Sequence, residues 1–181
     1  MSVRTSPNII ICGTPGTGKS THASQLQEAL PDLKLLSVGD LVKERGLHTG
    51  FDEEWQSHIV DDDALLDSIE ADCSQGGCLI DWHECELFPK SWIDLVVVLR
   101  CDHTLLWDRL EKRGYSLQKI QENNEAEIMQ VVLDEAHESY DPEIVVELTS
   151  ESVEDIDSNV ERILQWAENW KEQHLKGVHS S

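Results

Sequence analysis

The chain has 181 residues, of which 39% are hydrophobic, a length and composition that suit one globular domain with a buried core. Its 36 acidic residues outnumber its 14 basic residues and give a formal net charge of −22. This charge argues against a protein that binds nucleic acid broadly, because that function needs a basic face. It suits a basic protein partner instead. The apolar runs are too short for a signal peptide or a membrane span, so neither is predicted.

The cysteines indicate a reducing compartment. They are five in number, which is odd, and none forms a Cys-x-x-Cys pair. We therefore expect reduced thiols in the cytosol or the nucleus. A zinc site built from Cys78, His83 and Cys85 is a weak alternative, because Cys78 begins an apolar segment and is expected to point into the core.

Predicted strands and helices alternate along the chain. The segments with the composition of buried strands are 8–12, 33–38, 78–81, 95–99 and 144–148. The segments with helical spacing or capping are 19–30, 61–73, 102–113, 117–137 and 152–176. Residues 39–58 are mixed and polar and are expected to form short helices in an insert. The alternation predicts an α/β fold, a three-layer sandwich on a mostly parallel five-stranded sheet.

Residues 13–20 match the phosphate-binding pattern G-x-x-x-x-G-K-[ST] in full, between a predicted strand and a predicted helix. Glycines allow the backbone N–H groups to turn toward phosphates, and the helix N-terminus adds partial positive charge. Lys19 is expected to reach the β- and γ-phosphates, Ser20 to bind Mg²⁺, and Thr21 to reach the α-phosphate. The predicted nucleotide-binding residues are Gly13, Gly16, Thr17, Gly18, Lys19, Ser20 and Thr21. This loop is predicted to bind a nucleoside triphosphate.

Asp81 ends a predicted buried strand, and ligands of parallel sheets bind at the carboxyl ends of the strands. A carboxylate there can bind Mg²⁺ together with Ser20, or polarise an attacking hydroxyl. The alternative is an aspartate that only caps the strand, but the neighbouring P-loop favours the metal role. His83 faces the same side as Asp81 if the strand continues. From the residues alone, a structural and a chemical role for His83 remain open.

Basic residues are few, so the cations near the predicted site stand out. Phosphoryl transfer needs positive charge on the migrating group and its neighbours. Lys43 and Arg45 lie in the insert, and Lys112 and Arg113 end a predicted helix. Lys112 is explained by the preference of cations for helix C-termini. Arg113, at the break into Gly114, is predicted to act from a lid.

Together these motifs resemble a known family. Residues 13–20, Gly39-Asp40-Leu41 and a short lid beginning Arg113-Gly114-Tyr115 resemble the nucleoside monophosphate kinases. The segment Asp81-Trp82-His83-Glu84-Cys85, followed by Phe88-Pro89, more closely resembles the adenylate kinase isoenzyme 6 family, also called coilin-interacting nuclear ATPase proteins. The resemblance spans nearly the whole chain, and its Asp-x-His element separates this family from ordinary adenylate kinases.

The resemblance implies a P-loop kinase architecture. It implies a single domain over 1–181 with core strand order 2-3-1-4-5, a monophosphate-binding insert at 37–60 and a lid at 112–122. The implied catalytic residues are Lys19, Asp81, His83 and Arg113, and Arg113 also contacts the triphosphate. The implied monophosphate-binding residues are Gly39, Asp40 and Lys43.

The resemblance also implies an activity and a setting. It implies phosphate transfer from ATP to AMP with ATP and Mg²⁺ bound, and ATP hydrolysis as well. It implies a role in small ribosomal subunit maturation, a basic small-subunit ribosomal protein as partner, and a place in nucleus and cytoplasm. Ordinary adenylate kinases have an arginine where Lys43 stands, and lysine lacks the planar fork of arginine. An enzyme that is mainly an ATPase assembly switch therefore remains open. A non-catalytic acidic binding module is disfavoured by intact Lys19, Ser20 and Asp81.

Overall fold

The structure, a computed structural model, describes residues 3–55 and 57–178. Its strands are β1 (Ile9–Gly13), β2 (Lys34–Ser37), β3 (His48–Asp52), β4 (Ser57–Val60), β5 (Cys78–Asp81), β6 (Leu95–Arg100) and β7 (Val145–Thr149). Its α-helices are α1 (Lys19–Ala29), α2 (Val38–Arg45), α3 (Asp62–Gln75), α4 (His103–Lys112), α5 (Leu117–Ile128), α6 (Val131–Ser139) and α7 (Val153–Val178). Within the described ranges, no helix is both long and apolar enough to cross a membrane.

The central sheet has five parallel strands in the order β2-β5-β1-β6-β7. Counted among the core strands alone, this is the predicted order 2-3-1-4-5, so the prediction of the sheet is confirmed. The middle strand β1 is buried on both faces, as its continuous apolar sequence indicates. Ile9 and Ile11 pack on one side with residues of α1 and α7, whereas Ile10 and Cys12 pack on the other with residues of α3 and α6. The three-layer sandwich is confirmed.

This sheet brings the predicted site residues to one edge. Because β1 and β5 are parallel neighbours with Ile11 opposite Asp81, both strands end at the same edge of the sheet. The P-loop follows β1, and Trp82 and His83 follow β5. The edge at the carboxyl ends of the strands is where ligands of open parallel sheets bind.

The prediction of short helices over residues 39–58 is only half right. Its first part lies in α2, but β3 and β4 then form an antiparallel hairpin outside the main sheet. Exposed and half-buried residues alternate along both strands, which is the period of a ribbon with one covered face. The Asp52 carboxylate accepts hydrogen bonds from the backbone N–H groups of Glu54 and Trp55, an Asx-type turn that reverses the chain.

The single helix predicted over 117–137 is also wrong. It is two helices, α5 and α6, and the backbone at Gln130 has a φ of 60°. A residue in the left-handed region cannot continue a right-handed helix, so the chain changes direction there. The helical periodicity is intact on both sides of this break, which explains why the sequence pattern does not reveal it.

The five cysteines are all buried and free, in agreement with the prediction of reduced thiols. Cys78 points into the core at the start of β5, as expected. In the part of the chain that the structure describes, no three His, Cys, Asp or Glu residues are grouped so that they could hold a metal ion by themselves. The zinc alternative therefore has no structural support.

Candidate functional site

The P-loop has a backbone that only glycine can form at two positions. Gly16 and Gly18 have φ values of 93° and 96°. A Cβ atom at Gly16 would lie 2.9 Å from side-chain atoms of both Leu106 and Leu110 on α4. The loop is therefore shaped by backbone conformation and by close packing against α4, and a loop of this shape can turn backbone N–H groups toward a phosphate.

Side chains from outside the P-loop hold three successive loop carbonyls. The pairs are Arg109 Nη1 with Gly16 O at 3.2 Å, Ser150 Oγ with Thr17 O at 2.5 Å, and His22 Nδ1 with Gly18 O at 2.8 Å. Carbonyls held on the outside keep the intervening peptide units turned, with their N–H groups toward the loop interior. These contacts come from α4, from the residue after β7 and from α1, and sequence patterns gave no sign of them.

His22 is fully buried, and its ring is neutral when it contacts the Gly18 carbonyl. Burial lowers its pKa, and the nearby Arg109 charge lowers it further, although the hydrogen bond to Gly18 opposes both. Nδ1–H therefore donates to the Gly18 carbonyl, and Nε2 accepts from Asn159 Nδ2 at 3.2 Å. Asn159 also donates to the Thr149 carbonyl at 2.8 Å, which fixes its amide orientation. The P-loop is thus tied to α7 through one histidine.

The Lys19 ammonium lies inside the P-loop. Its Nζ donates to the carbonyls of Gly13, at 3.0 Å, and Thr14, at 3.3 Å. Desolvation lowers the pKa of Lys19 to about 8, and the negative charge of Asp81 limits this fall. Arg113 adds a positive charge that lowers the pKa of Lys19 further. A phosphate in the loop would replace the weak carbonyl contacts with a charged partner.

We expect nucleotide affinity to depend on pH through Lys19. With a pKa of about 8, the charged fraction of Lys19 falls about tenfold between pH 7 and pH 9. Because the ammonium binds phosphate and the neutral amine does not, the Kd for ATP should rise by about that factor, with a midpoint near pH 8. Isothermal titration across this range measures it. Lys19→Arg, which stays charged, should show a nearly constant Kd; an equal pH dependence in that variant would contradict the assignment.

Asp81 and Ser20 are in direct contact. The Ser20 hydroxyl donates to Asp81 Oδ2 at 3.0 Å, and Asp81 is 8% exposed. Burial raises the pKa of Asp81, while the Ser20 hydrogen bond and the Lys19 charge oppose the rise. A carboxylate and a hydroxyl side by side are the oxygen donors that Mg²⁺ prefers, so these residues fit the metal predicted for them.

His83 lies on the cavity wall beyond Asp81. Its ring contacts the Trp82 ring at a centroid distance of 4.1 Å, and its Nε2 is 3.6 Å from Glu84 Oε1. Its proximity lowers the pKa of Asp81. The histidine is therefore near the carboxylate, and its role in the reaction stays a prediction.

A cavity of about 720 Å³ opens beside the P-loop, between α2, the hairpin, the end of β5 and α5. Among the predicted monophosphate residues, Gly39 and Lys43 line it. Asp40 is exposed and contributes a negative charge that raises the pKa of Asp81. Arg45 does not face the cavity, because its guanidinium donates to Ser68 on α3. Of the two cations in the insert, only Lys43 is placed to meet a ligand there.

The remaining predicted residues lie around the loop. Thr21 is exposed in the first turn of α1, and Arg113 is exposed where α4 ends. Thr17 Oγ1 donates to the Thr14 carbonyl at 2.7 Å and so helps to shape the loop. Residues 112–122 comprise the end of α4, a turn and the start of α5, which is the segment predicted as a lid.

The contribution of α5 to the cavity was not predicted from the sequence, although Tyr115 and Lys119 lie in the segment predicted as a lid. Tyr115, Lys119 and Asn123 line it at intervals of four residues, so the last two share one helix face. Lys119 Nζ donates to the carbonyl of Trp55 at 3.1 Å and lies 4.2 Å from the centroid of the Tyr115 ring. These contacts join α5 to the turn of the hairpin. The helical spacing was visible, but nothing in the sequence indicated that this face meets the insert.

A buried carboxylate supports the P-loop from α5. Glu127 is 3% exposed and accepts hydrogen bonds from Thr14 Oγ1, at 2.6 Å, and Arg100 Nε, at 2.5 Å. Arg100 also donates to the Glu127 carbonyl at 2.9 Å. The ion pair thereby connects the P-loop to β6 and to α5.

Glu127→Gln should reduce the free energy of unfolding by about 1–3 kcal/mol, because one charge-assisted pair becomes neutral while Arg100 stays largely enclosed. Chemical denaturation measures the change. The control is Glu147→Gln: Glu147 contacts the same arginine at 3.4 Å, but its side chain is 52% exposed. That variant should lose less than about 1 kcal/mol. Equal losses in both variants would show that the buried pair has no special role.

Comparisons with known proteins agree with this geometry. A sequence family described as "AAA domain" matches residues 9–130. The adenylate kinase isoenzyme 6 homolog of Schizosaccharomyces pombe is 62% identical over 93% of this chain and 95% of the relative. The adenylate kinase isoenzyme 6 homolog FAP7 of Saccharomyces cerevisiae is 51% identical, over 97% of this chain and 89% of its own length. The homolog from Dictyostelium discoideum is 47% identical over 94% of this chain and 97% of its own.

Solved structures agree on the fold. Shikimate kinase from Bacteroides thetaiotaomicron superposes with a TM-score of 0.60 at 14% identity, covering 90% of this chain and 98% of that one. A gluconokinase from Sinorhizobium meliloti 1021 gives a TM-score of 0.50 at 18% identity, over 94% of this chain and 99% of the other. With the intact P-loop, the parallel sheet order and relatives that match over nearly their full lengths, the chain belongs to the adenylate kinase isoenzyme 6 homolog family of P-loop kinases.

Proposed function

We propose that this protein is an adenylate kinase that transfers the γ-phosphoryl group of ATP to AMP and that also hydrolyses ATP. One observation carries the proposal: Lys19, Ser20 and Asp81 lie together at the P-loop, directly beside a cavity whose lining includes the cations Lys43 and Lys119. Two adjoining phosphate sites are what transfer between two nucleotides requires. The relatives described above as adenylate kinase isoenzyme 6 homologs support the same activity.

Some residues bind the two nucleotides, and others promote the transfer of phosphate between them. The loop N–H groups and the Lys19 ammonium bind the triphosphate, and Lys43 and Lys119 attract the monophosphate. Ser20 and Asp81 would hold Mg²⁺, which supplies positive charge to the phosphates when bound. A monophosphate oxygen attacks the γ-phosphorus, and the bond from that phosphorus to the bridging oxygen of the departing ADP breaks. Arg113 adds positive charge from the end of α4.

Hydrolysis uses the same loop with water as the nucleophile. Asp81 and His83 are the nearby groups that can orient the water and accept its proton. The cation at position 43 is an exposed lysine, which lacks the planar fork of arginine and so grips a monophosphate less firmly. Weaker binding of the acceptor favours hydrolysis over transfer. This observation supports a second candidate, an ATPase that acts mainly as an assembly switch.

The proposed setting is the maturation of the small ribosomal subunit, in nucleus and cytoplasm, with a basic small-subunit ribosomal protein as partner. The charge of −22 supports a basic protein partner and opposes broad binding to free RNA. Binding to a basic ribosomal protein should weaken steeply as salt rises, because it depends on charge. Titration of the two proteins at several salt concentrations measures this.

The enzymatic proposal is tested by product analysis. With ATP and AMP together, ADP should form at a rate that depends on AMP and exceeds the rate of phosphate release. If AMP does not change the rate of phosphate release and no ADP is formed from AMP, the kinase activity is contradicted. The second candidate, an ATPase that acts as an assembly switch, would then remain. No turnover of ATP under any condition would contradict both.

A further inference from the structure

The second residue of the P-loop joins a buried carboxylate outside the loop to the ammonium inside it. Thr14 is 2% exposed, and its hydroxyl donates to Glu127 Oε2 on α5 at 2.6 Å. The Thr14 carbonyl accepts from the Thr17 backbone N–H at 3.2 Å, from Thr17 Oγ1 at 2.7 Å and from Lys19 Nζ at 3.3 Å. A single residue therefore connects Glu127 to Lys19.

The peptide unit between Thr14 and Pro15 can serve the loop only through its carbonyl. Proline has no backbone N–H, so this peptide unit cannot donate to a phosphate. Its carbonyl accepts from Lys19 and Thr17 instead. Rotation of the peptide unit would move this carbonyl away from both donors. A contact that fixes Thr14 therefore also fixes the place of the Lys19 ammonium.

The Glu127 carboxylate is itself held in one orientation. Its Oε1 accepts from Arg100 Nε at 2.5 Å and from the Cys101 backbone N–H at 3.4 Å, while its Oε2 accepts from Thr14. Arg100 Nη2 also donates to the Glu127 carbonyl at 2.9 Å, so the backbone is held as well. The Glu127 side chain is 4% exposed and the Arg100 side chain 17%. A carboxylate with donors on both oxygens is a fixed acceptor for the Thr14 hydroxyl.

Stability alone is a weak explanation for this buried ion pair. The cost of desolvating two charges offsets much of their attraction, and the best-attested use of such pairs is to specify one arrangement. The arrangement specified here is that of the phosphate loop, because Glu127 contacts Thr14 directly. Arg100 also neutralises the carboxylate, which would otherwise repel a polyphosphate bound nearby.

We propose that Glu127 is a positioning residue for phosphoryl transfer, which acts through Thr14 to hold the Lys19 ammonium at the γ-phosphoryl group. This inference rests on the proposed kinase activity and gives a kinetic role to a residue outside the P-loop. A displacement of about 1 Å at a reacting centre can slow a step about a hundredfold. Loss of the contact should therefore lower kcat and leave the binding of the acceptor nucleotide intact.

Two substitutions remove the contact from opposite ends. Thr14→Val removes the hydroxyl and leaves the charge of Glu127 in place. Glu127→Asp keeps the charge that pairs with Arg100 but is one CH₂ group too short to hold both partners. With ATP at saturation, each should lower kcat for transfer about tenfold to a hundredfold, and ATP hydrolysis by the same factor, because both reactions use Lys19. The KM for AMP should change less than about threefold. Thr14→Ser restores a hydroxyl and should recover most of the kcat that Thr14→Val loses.

A double variant decides whether Glu127 acts through Thr14. If it does, the kcat of the chain with both Thr14→Val and Glu127→Asp should equal that of the slower single variant, whereas independent effects would multiply. Ile163→Val is the matched control for stability. Ile163 is 2% exposed in the core on the α7 side of the sheet, so this variant should be destabilised yet keep its kcat. The unfolding midpoint is measured for every variant.

The outcomes separate the inference from the proposed function. Unchanged kcat in Thr14→Val or in Glu127→Asp, while the unmodified chain transfers phosphate, would overturn the inference and leave the proposed function standing. Multiplied losses in the double variant would also overturn it, as would an equal loss of kcat in Ile163→Val. If the unmodified chain forms no ADP from AMP, the proposed kinase fails, and the inference fails with it.

Discussion

Replacing Lys19 with alanine should lower both phosphoryl transfer and ATP hydrolysis by about a thousandfold or more. The Nζ of Lys19 lies within the loop, at 3.0 Å from the Gly13 carbonyl. Positive charge placed on the migrating phosphoryl group dominates catalysis of this reaction. ATP affinity should fall as well, because the same charge binds the ground-state phosphates. Steady-state kinetics and isothermal titration measure the two losses separately.

The Lys19→Ala variant should lose activity without losing stability. The pKa of Lys19 is lowered to about 8, so the native state disfavours its charge relative to the unfolded chain at neutral pH. Removing the ammonium therefore relieves a desolvation cost, and the unfolding midpoint should hold or rise. Lys90→Ala, at an exposed lysine before β6, is the control and should retain full turnover. Turnover retained by Lys19→Ala would remove this lysine from the site.

The second large effect is expected at Asp81. Asp81→Asn keeps the shape and a hydrogen bond to Ser20 but removes the negative charge, and turnover should fall about a hundredfold or more. Nucleotide binding measured without Mg²⁺ should change by no more than a few fold, because the loop and Lys19 still bind the phosphates. The Mg²⁺ concentration needed for half-maximal turnover should rise. An unchanged Mg²⁺ requirement would contradict the metal role.

The variant His83→Ala tests the role of His83 separately from that of Asp81. We expect hydrolysis to fall more than nucleotide binding, because His83 lies near Asp81 but outside the P-loop. The matched variant is Glu84→Ala, which removes the partner of the His83 ring at 3.6 Å and leaves the ring in place. Unchanged hydrolysis in His83→Ala would show that the histidine is structural.

Local patterns predicted the parts of the site that depend on neighbours in sequence. The P-loop is a contiguous motif between a buried strand and a helix, and Asp81 follows from the rule that parallel strands end at the ligand edge. The sheet order followed from the resemblance to a family of known topology. Each of these rests on information within a short window or on a fold shared by many chains.

The rest of the site depends on contacts between distant residues. The Ser150 hydroxyl meets the Thr17 carbonyl across 133 positions, and Lys119 meets the Trp55 carbonyl across 64. The hairpin was missed because its half-exposed polar strands lack the apolar alternation of a core strand. The break at Gln130 was missed because helical periodicity continues on either side of it. Such features arise from tertiary packing, which no single window of sequence records.

The central claim is that two nucleotide sites adjoin at the P-loop, and a titration with a dinucleoside pentaphosphate that joins two adenosines tests it most directly. We predict one molecule bound per chain, much tighter than ATP or AMP alone, with saturation blocking the binding of both. The Lys19→Ala variant should lose this tight binding. An affinity no better than that of ATP, with AMP still binding to the saturated protein, would contradict the account.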